Sequence, residues 1–335
     1  MFKAILTATD RVLESDPCVE TAARLALKND GRLLVLHVLD SPETDDRRWV
    51  RHFRTGERLM TSREYEAEVR DRLTASNRRV LRTVPSAEVR VTTGFPWEEI
   101  LRSARSFGSD LIVMGAHSRR ADELGVLRAV EKMGSTVEGV VVREKCPVMI
   151  VNRGASIGSP DFRRILVGID FSASCECALC LAARLARQAG GKLLVFHMIP
   201  IPPYPKYDRD HFLADQDFAA SHLTYFCREY LEGVDHEFVV RGGVLPQEEI
   251  LGCAERMKAD LIVMGSHTRD RQGKWYPGSA VERVSLRSGC PVMVISDPVA
   301  LHPWEDSCPK PAETRGAERP KDRRIQVFSR KTQSE

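Results

Sequence analysis

The sequence predicts an α/β protein made of two tandem, doubly wound domains, each with a parallel sheet of about five strands. Three observations lead to this class. Sequence blocks recur in the same order in the two halves of the chain, strand-like and helix-like segments alternate, and the strand-like runs are apolar throughout. Runs such as LLVLH, LIVMG and LLVFH are typical of strands that helices cover on both faces of a sheet.

The duplication is visible in three blocks. TAARLALKNDGRLLVLH returns as LAARLARQAGGKLLVFH at an offset of 160 residues, SDLIVMGAHSR as ADLIVMGSHTR at 150, and GSTVEGVVVREKCPVMIV as GSAVERVSLRSGCPVMVI at 144. A preserved order with slowly changing offsets indicates a duplicated domain with loop insertions and deletions, not a solenoid. We predict domains at residues 1–152 and 162–297, a Gly/Ser/Pro linker at 153–161 and a mostly disordered tail at 298–335.

In the second half, the elements follow in a regular order. Gly190 and Gly191 end the first predicted helix, and Pro246 with two following acids opens the third, as Pro and acidic residues do at helix starts. The predicted strands are Arg164–Ile169, Lys192–Ile199, His236–Arg241, Leu261–Gly265 and Pro291–Ile295. The predicted helices are Ala173–Ala189, Asp208–Leu231, one from Pro246, and Ser279–Ser288.

The first half follows the same order. Its first helix is predicted to open at Asp16-Pro17 and its third at Pro96. Between them, Arg51–Arg82 predicts a charged, solvated helical face with Leu59 and other sparse apolar residues on its inner side.

Composition limits the classes of partner. The chain has 335 residues, and 50 Lys and Arg stand against 47 Asp and Glu, for a net charge of +3. This near balance argues against a nucleic-acid partner, whose phosphates would select a basic surface. The sequence has no run of 18 or more apolar residues and its first residues lack the pattern of a signal peptide, so we expect no membrane partner and a cytoplasmic location.

Four residues at predicted element ends of the second half suit a nucleotide. Asp170 follows the first strand, Gly265 ends the fourth, and Gly278-Ser279 opens a helix. Ligands of doubly wound sheets bind at the carboxyl ends of the strands, and the N–H groups of a helix start attract phosphate. A carboxylate can hold a ribose hydroxyl or a base amine. The alternative is that these glycines serve only as turn residues.

Histidines are further candidates. His37 and His197 end the second strands, and we interpret them as hydrogen-bonded structural residues, with a place in the ligand crevice as the alternative. His117 and His267 follow the glycines of the fourth strands, where they are candidates for phosphate contact.

The nine cysteines predict thiols, not a disulfide framework. Cys175, Cys177 and Cys180 cluster where the second half's first helix begins, and a helix start lowers a thiol pKa. A redox role is therefore one hypothesis, and small packing residues are the favoured one. Cys146 and Cys290 each precede a Pro before the last strands and are predicted to pack.

Both halves resemble universal stress protein domains, and the whole chain resembles a tandem universal stress protein. The resemblance rests on ILVGID, LLVFHM, DLIVMGSHTR and GSAVERVSLRSGCPVMVI in the second half and on ILTATD, LLVLHV, DLIVMGAHSR and GSTVEGVVVREKCPVMIV in the first, and it covers residues 2–297. It implies a Rossmann-like, adenine nucleotide alpha hydrolase-like fold. It also implies that the last strands, Pro147–Val151 and Pro291–Ile295, pair within the chain as a pseudo-dimer. A homodimer is a further expectation.

The resemblance also implies ATP or ADP as ligand, with Mg²⁺ only as the companion of the nucleotide. ATP-binding members carry Gly, two residues, Gly, nine residues and Gly-Ser or Gly-Thr, besides an Asp after the first strand. The second half departs from this pattern at Thr268; the first departs at Ser118 and has a spacer of fifteen residues, so the second half is favoured. The implied site residues are Asp170, Gly265, His267, Thr268, Gly278 and Ser279, and, less favoured, Asp10, Gly115, Ser118, Gly134 and Ser135.

The resulting functional expectation is a nucleotide-responsive binding or signalling module without clear catalytic activity. No Walker-type GxxxxGK[ST] sequence, nucleophile elbow or metal-ligand set is present in the sequence. Two alternatives stay open: a scaffold that has lost nucleotide binding and acts through an unknown protein partner, and a thiol sensor built on the cysteine cluster.

Overall fold

The structure is a computed structural model, and it describes residues 1–14, 16–41, 49–116, 133–152, 161–201, 208–266, 269–271, 274–276 and 279–296. The predicted tail at 298–335 and the predicted linker at 153–161, except Asp161, lie outside these residues. Among the described residues, no helix combines the length and the apolar composition needed to cross a bilayer.

Strands and helices alternate through the first half, as the sequence predicts. The elements are β1 (Ala4–Ala8), α1 (Pro17–Asn29), β2 (Arg32–Asp40), β3 (Trp49–Arg51), β4 (Arg58–Met60), α2 (Arg63–Ser76), α3 (Arg78–Leu81), β5 (Ala87–Gly94), α4 (Pro96–Phe107), β6 (Leu111–Gly115), α5 (Ser135–Arg143) and β7 (Val148–Val151).

The second half repeats this order with its own insertions. Its elements are β8 (Arg164–Gly168), α6 (Ala173–Ala189), β9 (Lys192–Pro200), α7 (Arg209–Cys227), β10 (Asp235–Gly243), α8 (Pro246–Arg256), β11 (Leu261–Gly265), β12 (Arg269–Arg271), β13 (Lys274–Tyr276), α9 (Ser279–Arg287) and β14 (Val292–Ile295).

The two halves share one ten-stranded sheet, in the order β10-β9-β8-β11-β14-β7-β6-β1-β2-β5. Among the described strands of this sheet, those of each half run parallel, and the central pair of β14 and β7 is antiparallel, with Met293 opposite Met149. The predicted pairing of the last strands within the chain is therefore confirmed.

Helices cover both faces of this sheet, which explains the apolar strands. One face packs against α1 and α6, and its buried side chains run without a break from Val35 in the first half to Val195 in the second. The other face packs against α4, α5, α8 and α9. Because both faces are buried, the central strands have few positions for polar residues. The sheet has two hydrophobic cores, one on each face, and each is continuous across the two halves.

A repeated acidic residue ties the strands together at their amino ends. The carboxylate of Asp110 accepts the backbone N–H groups of Lys3 and Ala4 at 2.6 and 3.0 Å. Asp260 accepts those of Arg163 and Arg164 at 2.7 and 3.1 Å. This Asp precedes the LIVMG run in both copies, so part of the repeated motif serves the architecture and not a ligand.

The helical interpretation of Arg51–Arg82 is wrong for its first third. Residues of this region form the antiparallel hairpin β3–β4, and helix α2 begins only at Arg63, after the N-cap Ser62. Val50 is fully buried in a small separate core with Leu39 and Val69, and Leu59 packs against it from β4. The apolar residues of this region therefore come from a strand, with Leu59, and from the helix that follows it, with Val69.

Candidate functional site

The strand order of each half reverses at one point, and the predicted site residues lie there. In the second half the chain passes from β8 to β9 on one side, whereas β11 lies on the other side of β8. Asp170 follows β8, and Gly265 is the last residue of β11. The first half has the same reversal between β1 and β6, next to Asp10 and Gly115. In doubly wound sheets this reversal opens the crevice in which ligands bind.

Gly265 makes close contact with the start of helix α6. A β-carbon at this position would lie 2.3 Å from the backbone carbon of Ser174 and 2.5 Å from the backbone nitrogen of Cys175. Any side chain would therefore push the helix away from the end of β11. This glycine places the first turn of a 17-residue helix, with its partly positive N–H groups, directly at the crevice.

Asp170 is exposed and held in place by its own loop. Its Oδ1 accepts the backbone N–H of Ser172 at 3.1 Å and the Ser172 hydroxyl at 2.5 Å. The Ser172 Oγ in turn accepts the N–H of Cys175 at 3.2 Å and so caps α6. These contacts fix the carboxylate at the mouth of the crevice.

An aromatic cluster lies next to Asp170. Phe171 has a left-handed backbone, with φ of 61°, and its ring stacks on His222 of α7 at 4.2 Å between centroids. The same ring contacts His197 at 4.8 Å and Phe226 edge-on at 5.4 Å. Phe171 and Phe226 also pack against the core on this face of the sheet, so the cluster anchors the loop that carries Asp170.

His37 and His197 have the structural role that the sequence favours. Their Nδ1–H groups donate to the backbone oxygens of Thr9, at 2.8 Å, and Ile169, at 2.9 Å. Each bond joins the second strand of a half to the loop after its first strand. Burial lowers the pKa of both imidazoles, more than the backbone bond raises it, which keeps them neutral.

Helices α5 and α9, which follow the second glycine of each candidate site, begin at the same edges of the sheet as the two crevices. Gly134 precedes α5, and its N–H donates to the oxygen of Ala116 at 3.1 Å, which brings it next to Gly115; Ser135 is the first residue of α5. In the second half, Ser279 is the exposed first residue of α9. The predicted site residues Ser118, His267, Thr268 and Gly278, and the candidate His117, lie outside the described residues.

Part of the second half's spacer forms a hairpin. Strands β12 and β13 pair antiparallel between Gly265 and α9, with Asp270 opposite Trp275. The strand β13 lies next to α5 of the first half.

The two crevices differ in charge. In the first half, the cap of α1 is Asp16, a buried carboxylate whose Oδ1 accepts the N–H of Cys18 at 2.8 Å. Its Oδ2 accepts the Thr9 hydroxyl at 2.5 Å. The equivalent cap in the second half is the neutral Ser172. The first half thus places a negative charge at the helix start where an anionic ligand would bind.

Comparison with known proteins agrees with this architecture. The family model described as the universal stress protein family matches residues 1–152 and again residues 161–296. This chain belongs to the universal stress protein family.

Similar universal stress proteins come from bacteria and archaea. One from Thermus aquaticus is 30% identical over 40% of this chain and 98% of its own length. One from Mycolicibacterium smegmatis is 25% identical over 87% of this chain and 96% of its own length. The crystal structure of a universal stress protein from Archaeoglobus fulgidus has the same fold, with a TM-score of 0.60 and 23% identity, over 87% of this chain and 95% of that one.

The cysteine cluster does not have the environment of a reactive thiol. Cys175 and Cys177 are buried, and neither forms a disulfide bond. Burial, and then the charge of Asp170, raise the pKa of Cys175 well above its usual value, which opposes the lowering expected at a helix start. Cys180 is disulfide-bonded, so the expectation of thiols throughout is wrong at this residue. Cys146 and Cys290 are both free, and burial raises the pKa of each, in agreement with packing.

Metal ligands are not grouped in the described part of the chain: it holds no set of three or more His, Cys, Asp or Glu side chains placed to bind an ion.

Sequence reasoning missed the residues that join the two halves near the crevices. Glu282 of α9 accepts the backbone N–H of Met133, the residue before Gly134, at 2.9 Å. Asn152, after β7, donates to the backbone oxygens of Ser285 and Ser288 at 2.8 and 3.1 Å. A signal was available for the first contact, because both copies of the repeat have a Glu at this position, three residues after the Ser that begins the helix.

Proposed function

We propose that this universal stress protein binds an adenine nucleotide, ATP or ADP, in its second half and acts as a nucleotide-responsive binding or signalling module. One observation carries the proposal. Asp170 and Gly265 flank the reversal of strand order, and the first turn of α6 lies against Gly265 between them. This places a carboxylate and a helix N-terminus at the point where doubly wound sheets bind ligands.

The residues present fit the two ends of a nucleotide. The starts of α6 and α9 approach the same edge from opposite faces of the sheet and would attract the phosphates. Asp170 would hold a ribose hydroxyl or a base amine. The hydroxyl oxygen of Ser266, next to Gly265, is fully buried and has no hydrogen-bond partner among the described residues. Mg²⁺ would enter with the phosphates.

The second half is favoured because the residue that caps its helix, Ser172, carries no charge. A phosphate at the start of α1 would lie beside the carboxylate of Asp16, and two like charges at short distance repel. Ser172 imposes no such charge on α6. The longer spacer of the first half, fifteen residues against nine, adds a second difference.

We further propose that the protein binds the nucleotide without catalytic turnover of it. A phosphoryl-transfer site needs groups that orient the attacking nucleophile and neutralise developing charge. The sequence contains no Walker-type motif, and the proposed role uses nucleotide occupancy as a signal.

The direct test is calorimetric titration of the full chain with ATP in the presence of Mg²⁺. We expect micromolar binding at one site, and Asp170→Asn should weaken it by about tenfold or more, since about 1.4 kcal/mol corresponds to a factor of ten. Asp10→Asn is the matched control in the first half and should leave the affinity unchanged. A wild-type chain that binds neither ATP nor ADP would contradict the proposal.

One observation favours the scaffold alternative, in which protein contacts carry the function. Ile201, Val244 and Leu245 are exposed apolar residues at the carboxyl end of β9 and β10, and β10 is an edge strand. Exposed apolar groups of this kind often mark contact surfaces. If titration detects no nucleotide, substitution of Val244 and Leu245 by Ser should impair association with a partner.

A further inference from the structure

The antiparallel junction of β7 and β14 places the two crevices at opposite edges of the sheet. Helices α5 and α9 both pack on the same face, on either side of this junction. Because α9 runs back along its own strands, its first residue lies at the second half's crevice. Its last turn therefore lies at the edge where the first half has its crevice.

Two polar contacts cross the junction, and the one made by Asn152 agrees with this placement of the last turn. The Asn152 side chain binds the carbonyl oxygens at the end of α9, and Glu282 accepts the N–H of Met133. Met133 is 5% exposed, and its amide directly precedes Gly134 at the start of α5. A buried N–H needs an acceptor, so the position of Met133 and Gly134 in the first half depends on a side chain of the second half.

We infer that Glu282 is a positioning residue through which the second half holds Met133 and Gly134 at the start of α5 in the first half. Helix α9 would thereby link the two candidate sites. The helix has nine residues, which corresponds to a rigid element about 13 Å long. Its first residue, Ser279, borders one crevice, and Glu282 acts on the other. The meaning of this link for nucleotide binding rests on the proposed function, but the positioning itself does not.

Amide hydrogen exchange of the full chain without ligand tests the positioning. In Glu282→Ala we expect exchange of residues 133–143 to be about fivefold faster, the effect of one lost hydrogen bond. Glu282→Gln keeps a carbonyl oxygen as acceptor and should restore slow exchange. Arg283→Ala, an exposed position on the same helix, is the control and should change nothing. Exchange in helix α2, far from the junction, should stay constant in all variants.

Unchanged exchange of residues 133–143 in Glu282→Ala would overturn the inference, and so would an equal increase in α2, which would mean general destabilisation. Failure of Glu282→Gln to restore slow exchange would also overturn it.

Titration with ATP and Mg²⁺ then separates the two proposals. If ATP binds no variant, the proposed function fails, and the ligand-free exchange still decides the role of Glu282. If ATP binds, it should slow exchange of residues 133–143 in the wild type and not in Glu282→Ala; equal slowing in both would overturn the link through α9.

Discussion

At the scale of single residues, Gly265 and Gly168 form an instructive pair, because both end a strand at the same crevice. A β-carbon on Gly265 would overlap the backbone of α6 at 2.3 Å, whereas one on Gly168 would meet its nearest atom, in Ile250, at 3.8 Å. We therefore expect Gly265→Ala to lower the free energy of unfolding by about 1–3 kcal/mol or more, the cost of overpacking. Gly168→Ala, the control, should be nearly neutral. Urea denaturation measures both, and an equal effect of the two substitutions would show that α6 shifts freely.

His37 makes stability depend on pH. Burial lowers its pKa in the folded state, while the unfolded chain has a value of about 6.5. Below pH 6.5 the unfolded state binds a proton that the folded state does not, so stability is lost as the pH falls towards the folded pKa. His37→Gln keeps an N–H donor for Thr9 and should flatten the decline between about pH 6.5 and 5. The exposed His236→Gln is the control for thermal unfolding at each pH. Parallel curves for wild type and His37→Gln would contradict the assignment.

The residue scale also shows what sequence alone missed. The structure gives Gly265 a packing reason that holds with or without a ligand, because its neighbours in α6 come from a distant part of the chain. The favoured interpretation of Cys175 as a packing residue agrees with its burial, which raises the thiol pKa. The sequence could not predict the contact of Gly265 with α6, because residues far apart in the chain make it.

At the scale of elements, strands and helices in the duplicated blocks were predicted well because their apolar pattern reflects burial on two sheet faces. The hairpin β3–β4 was missed because its strands have only three residues each. Its Val50 and Leu59 face a local core that the sequence does not reveal. In such short strands, apolar and polar residues alternate too few times to be distinguished from a helix with few apolar residues.

The two equivalent helix caps yield a prediction that concerns both stability and binding. Asp is as good an N-cap as Ser, but the Ser172 hydroxyl also donates to Asp170, so Ser172→Asp replaces this bond by two adjacent carboxylates and should lower the free energy of unfolding by about 1–3 kcal/mol. It would place a carboxylate at the start of α6, as Asp16 does at α1, and repel phosphate there. We expect ATP affinity to fall by about tenfold or more.

The reciprocal change, Asp16→Ser, serves as the comparison for this pair. It removes the charge from the start of α1 and should raise the number of ATP molecules bound per chain from one towards two. Calorimetric stoichiometry measures this, with thermal unfolding as a check on folding. Undiminished ATP affinity in Ser172→Asp would mean that the phosphates do not approach α6.

At the scale of the whole molecule, duplication explains why the chain needs no second copy to cover its last strands. β7 and β14 would each be an edge in an isolated domain, and an apolar edge strand invites pairing with another chain. Here each covers the other, and the terminal edges of the ten-stranded sheet are β10 and β5. The family resemblance implied this pairing, but the sequence did not predict the continuous cores or the polar contacts of Glu282 and Asn152.

A double-mutant cycle measures how firmly the two halves are joined. Met149 and Met293 are fully buried and directly opposite each other in the central pair of strands. Each change to Ala should cost about 2–5 kcal/mol, and the double variant should deviate from the sum by about 0.5 kcal/mol or more, as contacting residues do. Leu73→Ala, in α2 beside the distant strand β5, should add to Met293→Ala within about 0.5 kcal/mol. Urea denaturation of the full chain gives all these values. Strict additivity of Met149→Ala and Met293→Ala would mean that the strands share hydrogen bonds without packing their side chains, and the chain would then behave as two domains that unfold independently.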